Sequence, residues 1–214
     1  LGNGDGTFAA KVDYATGNLP FSATSLDANA DGKMDLAVAN AGSNTVSVLL
    51  GVGDGTFAAK VDYATGGAPF NVTSLDANTD GKMDLVVTNT NSNTVSVLLG
   101  NGDGTFAAKV DYSTGSNPSA VASLDTNADG KMDLVVANYS SDTVSVLLGN
   151  GDGTFAAKVD CATGSRPRFV NSLDTNADGK IDLVVTNEGS DTVSILLGNG
   201  DGTFAAKVDY ATGN

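Results

Sequence analysis

LGNGDGTFAAKVD, residues 99–111, opens a 49-residue period: the same string begins at Leu1, Leu50 (with Val52 replacing Asn), Leu99, Leu148 and Leu197. Leu197–Asn214 repeats Leu1–Asn18 letter for letter. Self-similarity at this period marks a repeat architecture, in which each unit is one supersecondary motif that cannot bury its apolar face alone. The Gly, Asn and Asp residues of the string are turn chemistry. After them Phe106–Tyr112 reads as a strand, with Phe106, Ala108, Val110 and Tyr112 at period two and Lys109 and Asp111 expected on the wet side. Three further strands precede it in the same period: Pro69–Asp76, Asp84–Asn89 and Thr94–Leu99, the last with β-branched alternation. Each period therefore reads as a four-stranded antiparallel meander.

The expected fold class is all-β, with tandem four-stranded blades of β-propeller type that form part of a larger ring or an open repeat array. Blades are predicted over residues 19–67, 68–116, 117–165 and 166–214, with residues 1–18 a partial repeat. That partial repeat adds a fifth copy of the fourth strand, Phe8–Tyr14, surplus to four blades. A lone strand is marginal in water. The segment is therefore expected to complete a blade of another chain or to meet partners supplied upstream.

Composition removes whole classes of function. Glycine accounts for 27 of 214 residues and charged residues for only 17%, a balance that favours turns and short strands over solvated helices. Twenty-four Asp and the single Glu188 outweigh 11 basic residues, and the net charge of −14 opposes any nucleic-acid partner. Asp prefers turns and hard-cation sites, whereas helix surfaces prefer Glu. With no His in the chain, imidazole bases, Ser-His pairs and His-ligated zinc are excluded. The one cysteine, Cys161, cannot form an internal disulfide. No apolar run reaches the ~18 residues of a membrane span, and Leu1–Asp5 does not read as a signal peptide, so the export signal of a secreted chain is expected outside this sequence.

Half of the aspartates fall in four loops of pattern DxNxDGKxD at one phase of the repeat. They are Asp27, Asn29, Asp31, Lys33, Asp35; Asp76, Asn78, Asp80, Lys82, Asp84; Asp125, Asn127, Asp129, Lys131, Asp133; and Asp174, Asn176, Asp178, Lys180, Asp182. Oxygens from positions one, three and five, a backbone carbonyl at seven and a carboxylate at nine can converge on one cation if the chain turns sharply at the glycine. The lysine at seven would offer only its carbonyl, its side chain pointing to solvent. Six to eight oxygens at flexible geometry suit Ca²⁺ better than Mg²⁺, so about four Ca²⁺, one per repeat, are expected. This is not an EF-hand, since Val38, Val87, Val136 and Val185 stand where position twelve would be glutamate. Asp, Asn and Gly also make turns without a metal. Four copies at identical spacing, each with three carboxylates that repel without a cation, favour the metal. The GNGDGT turns are read as tight hairpins that use glycine at positive φ.

DxNxDGKxDL paired with LGNGDGTF resembles the FG-GAP and VCBS repeat family, whose repeats are similar to the calcium-binding propeller of integrin α-subunits. The resemblance covers the whole chain. It implies four-stranded blades, calcium held in the hairpin between the first two strands, and extracellular adhesion, lectin-like or scaffold roles. Two features depart from the family: the 49-residue blade is short, and about four of some seven blades are present.

Meander parity places the calcium loops and GNGDGT turns at one end of every blade. Differences between copies collect at the other end, where Tyr139, Arg166, Arg168 and Glu188 fall. That varied end is the candidate face for a protein or glycan ligand. The stripe Tyr14, Tyr63, Tyr112 and Tyr210, with Cys161 in the same place, reads as packing between blades rather than a sugar platform. Asn71-Val72-Thr73 and Asn138-Tyr139-Ser140 are glycosylation sequons. The expected function is a non-enzymatic, extracellular, calcium-stabilised scaffold or adhesion module that self-associates through its N-terminal strand, with filaments as one form. The alternative is a carbohydrate-binding, lectin-like propeller. A hydrolase or lyase using paired aspartates finds no base or nucleophile here.

Overall fold

The computed structural model describes residues 2–213. Its strands form four antiparallel four-stranded sheets, each ordered as in the sequence. The first sheet holds β1 (Pro20–Leu26), β2 (Asp35–Asn40), β3 (Thr45–Leu49) and β4 (Val61–Ala64). The second holds β5 (Pro69–Leu75), β6 (Asp84–Asn89), β7 (Thr94–Leu98) and β8 (Val110–Ser113). The third holds β9 (Pro118–Leu124), β10 (Asp133–Asn138), β11 (Thr143–Leu147) and β12 (Val159–Ala162). The fourth holds β13 (Pro167–Leu173), β14 (Asp182–Asn187), β15 (Thr192–Leu196) and β16 (Val208–Ala211). There is no helix among the described residues, so none is long and apolar enough to cross a membrane.

The blades stack in series through their first strands, β1 on β5, β5 on β9 and β9 on β13, and the series does not close into a ring. Both faces of an inner sheet are apolar, because strands such as DLVVTN are hydrophobic at successive positions rather than alternate ones. Leu85 and Val87 of β6 meet Ala37, Val46 and Val48 of the first blade. On the opposite face of the second blade Val86, Val95 and Val97 meet Leu134, Val136 and Leu147. Val135, Val144 and Val146 then meet Leu183, Val185 and Leu196. Fully burying each such Leu or Val stabilises by roughly 1.5–3 kcal/mol. Three equivalent interfaces thus carry the fold.

Several expectations need correction. The fourth strand begins at Val61, Val110, Val159 and Val208 rather than at the preceding phenylalanine. Phe106 instead closes the turn through an isolated bridge with Gly100. Val110 is 54% exposed at the blade rim; Asp111 is exposed as expected and accepts a hydrogen bond from the buried Ser96 hydroxyl at 2.6 Å. Phe8–Tyr14 does not form a strand: among the described residues each third strand already pairs with the fourth strand of its own blade. Tyr14 nevertheless packs edge-on against Phe57, ring centroids 5.4 Å apart, as Tyr63 packs on Phe106 and Tyr112 on Phe155. Tyr14 thus meets the first blade through Phe57, and Tyr63 and Tyr112 lie between blades, whereas Phe8 is 80% and Tyr210 58% exposed.

Candidate metal centre

Each candidate loop joins the first two strands of a blade. In the first, the Asp31 amide donates to Asp27 Oδ1 at 3.1 Å and to Asn29 Oδ1 at 3.2 Å. The Gly32 amide donates to Asp27 Oδ2 at 2.9 Å, and the Lys33 amide to Asp31 Oδ1 at 2.9 Å. Asp76, Asn78 and Asp80 reproduce this set, as do Asp125, Asn127 and Asp129, and Asp174, Asn176 and Asp178. Sequence position makes the shape: Ala30, Thr79, Ala128 and Ala177 take positive φ, and Gly32, Gly81, Gly130 and Gly179 follow two residues later at φ near +80°. Positions one, three and five so share one exposed rim.

The ninth carboxylates behave differently. Asp35, Asp84, Asp133 and Asp182 are fully buried. Asp35 Oδ2 accepts the Ala28 amide at 2.8 Å, and its Oδ1 accepts the Gly51 amide of the following GVGDG turn at 2.7 Å. Asp84 does the same with Ala77 and Gly100, Asp133 with Thr126 and Gly149, and Asp182 with Thr175 and Gly198. This residue staples the hairpin loop to the next turn, a role the spacing did not reveal. Burial pushes the Asp84 carboxyl above its ordinary value. Asp182 is held below it, although burial opposes this, because the Thr175 hydroxyl supplies an extra donor where the second blade has Ala77.

The lysines do not simply point to solvent. Lys33 Nζ lies 3.3 Å from Asp31 Oδ2, and Lys82 and Lys131 pair likewise with Asp80 and Asp129 at 3.5 Å. In the fourth loop the Lys180 stem lies over Gly200. Among the described residues no three acidic side chains gather into a group that could hold a metal ion, because the ninth carboxylate is committed to two amides. By chemistry the donors fit a hard cation: carboxylate, amide and backbone carbonyl oxygens only.

A second polar cluster went unread in the sequence, although it recurs at the same 49-residue spacing. The Asn89 amide donates to Ser96 Oγ at 2.9 Å, the Gly66 amide donates to the same oxygen at 3.2 Å, and Ser96 donates onward to Asp111. It ties the link between blades to the sheet it enters. At the varied end, Arg168 lies over the Tyr139 ring, 4.5 Å from its centroid, and pairs with Glu188. Arg166 stands 5.8 Å from the same ring. That pairing holds the Glu188 carboxyl below its ordinary value. These four residues meet where the third blade joins the fourth.

The family described as FG-GAP-like repeat matches residues 27–87, 76–136 and 125–176. Among curated proteins none matches. Solved structures similar to this chain include a putative 6-phosphogluconolactonase from Bacteroides uniformis, at TM-score 0.67 and 15% identity over 92% of this chain and 59% of that one. An Agrocybe aegerita lectin that recognises non-reducing terminal N-acetylglucosamine is similar at TM-score 0.59 and 21% identity, over 86% and 50% of the two chains. BBS1N, solved in complex with ARL6DN, is similar at TM-score 0.62 and 12% identity, over 94% and 57%. The chain spans about half the length of the structures it matches, and at these identities the likeness is one of fold.

Proposed function

The chain belongs to the FG-GAP-like repeat family, and from that premise we propose that it is a non-enzymatic, calcium-braced repeat scaffold or adhesion module that works outside the cell and assembles with further copies of itself. The observation that carries this reading is the contrast between inner and end faces. Leu75, Val86, Val95 and Val97 of the second blade are at most 4% exposed against the third. Their counterparts on the fourth blade, Leu173, Val184, Val193 and Ile195, meet no further blade among the described residues, and Leu173 is 48% exposed with Tyr210 at 58%. At the other end the first blade carries Leu36, half-buried, and Val38, the counterparts of Leu85 and Val87. The two ends are thus the halves of an interface that the chain already forms three times. A second copy seated head to tail, or a further repeat of a longer array, supplies each half with its partner.

Calcium would be held by Asp27, Asn29, Asp31 and the Lys33 carbonyl, and by the matching residues of the other three loops, with the buried ninth carboxylate bracing each loop through its two amides. Bound there, it supplies the charge that lets adjacent carboxylates share one rim; four ions would take the net charge from −14 to about −6. A non-catalytic role is supported by the absence of His and by aspartate oxygens already engaged with loop amides. Light scattering and thermal melts, each in calcium and in chelator, test the proposal. Particles of at least two chains and a lower Tm in chelator are expected. A strict monomer with an unchanged Tm overturns it.

Carbohydrate binding is the second reading, favoured by likeness in fold to the N-acetylglucosamine lectin. The cluster of Arg166 and Glu188, both exposed, with the half-buried Tyr139 and Arg168 is where a glycan or protein ligand would sit. A glycan array without a bound sugar removes this reading.

A further inference from the structure

At the rim of every blade junction a groove runs between the fourth strand of one blade and the Phe-Ala-Ala-Lys segment of the next. At the first junction it is lined by Tyr63, Leu98 and Phe106, and at the second by Tyr112, Leu147 and Phe155. At both, the tyrosine ring stands edge-on to the phenylalanine with centroids 5.5 Å apart. The third junction keeps Leu196 and Phe204 but replaces the tyrosine with Cys161. Its groove measures about 520 Å³ against about 310 and 300 Å³ for its sisters; the smaller side chain opens part of this, and the groove also runs on along Gly202 and Thr203. Phe204 is also half-buried where Phe106 and Phe155 are only 6% exposed, although the same blade interface covers it. An apolar cavity of about 150 Å³ accepts a benzene ring, and among the described residues Phe204 has no edge-to-face ring partner of the kind Phe106 and Phe155 have.

We infer that the Cys161 groove is a binding site for a small monocyclic phenol, which takes the place the tyrosine ring occupies at the other two junctions. The ring would stand against Phe204 and Leu196 with its hydroxyl toward the open mouth, beside Lys207 and Asp160. The ligand is a phenol rather than a fused ring system because the place left open is that of one tyrosine side chain. Cys161 acts here only by being small; burial pushes its thiol above the ordinary value, so it stays protonated and takes no covalent part.

The test uses the whole chain and 4-methylphenol, the tyrosine side chain in free form, titrated by NMR. Saturable shifts confined to the residues lining the Cys161 groove are expected, with a Kd on the order of 1 mM, as befits so small a ligand in an open groove. Cys161→Tyr should weaken binding at least about tenfold while the fold is kept, since tyrosine is the residue of the sister junctions. Tyr112→Cys should open a second equivalent site against Phe155. The inference is overturned if the wild-type chain shows no saturable shifts at Phe204, or if Cys161→Tyr binds as tightly as the parent.

Discussion

At the scale of single residues, the tightest constraint is the approach of each GNGDG turn to the residue that precedes β2, β6, β10 or β14. A Cβ added to Gly100 would lie 2.2 Å from the Met83 carbonyl oxygen, a backbone atom that cannot swing away. Gly100→Ala should therefore cost roughly 2–4 kcal/mol, read as a lower denaturation midpoint. The approach exists because Asp84 draws the Gly100 amide to 2.7 Å. Asp84→Ala leaves two buried amides without an acceptor, at about 1–3 kcal/mol each, and the loss should be the same in calcium and in chelator. Asp76 sits on the exposed rim, where water replaces it as an acceptor for Asp80 and Gly81. Asp76→Ala should consequently lower Tm mainly when calcium is present. Equal effects of Asp76→Ala with and without calcium would sink the metal assignment. The sequence showed nine-residue spacing but not this division of labour, since burial of the ninth carboxylate depends on a turn 16 residues away.

At the scale of the element, the turns have their own electrostatics. Asp103 Oδ1 accepts both the amide and the hydroxyl of Thr105, and these bonds, the hydroxyl's first, hold the carboxyl below the ordinary value of 3.8. Asp5, Asp54, Asp152 and Asp201 are held down in the same way. A carboxyl lowered by folding stabilises above its unfolded pKa, and that contribution is lost as pH falls through the lower, folded value. Titration of the Asp103 carboxyl by NMR should give a midpoint below 3.8, and Thr105→Val should move it upward. An unmoved midpoint would show that the hydroxyl is not the cause. Strand order and the turns were legible because they rest on local chemistry repeated five times. The fourth strand was not: Phe106 and Ala108 continue the alternation of Val110 and Tyr112, but only residues 110–113 have β7 beside them. Pairing, not periodicity, ends a strand, which is also why the copy near Tyr14 forms none.

At the scale of the molecule, identical repeats meet different surroundings, and that difference separates folding from assembly. Val97 and Ile195 hold the same place in β7 and β15, yet Val97 is 2% exposed beneath the third blade, whereas Ile195 lies half-buried on the open face of the fourth. A carboxylate at Val97 would be enclosed without a partner, a cost of several kcal/mol out of the ~5–15 kcal/mol that typically holds a domain folded. Val97→Asp should therefore unfold the chain, seen as loss of β circular dichroism. A carboxylate at Ile195 keeps contact with water in the single chain and loses it only when a second copy covers the face. Ile195→Asp should leave the β spectrum and the calcium-dependent Tm of the isolated chain nearly unchanged while sedimentation shows the particle falling to one chain. If the variant keeps the parent's particle mass, that face is not the interface. The blade count of any assembly must then be built through the first blade or the varied end instead.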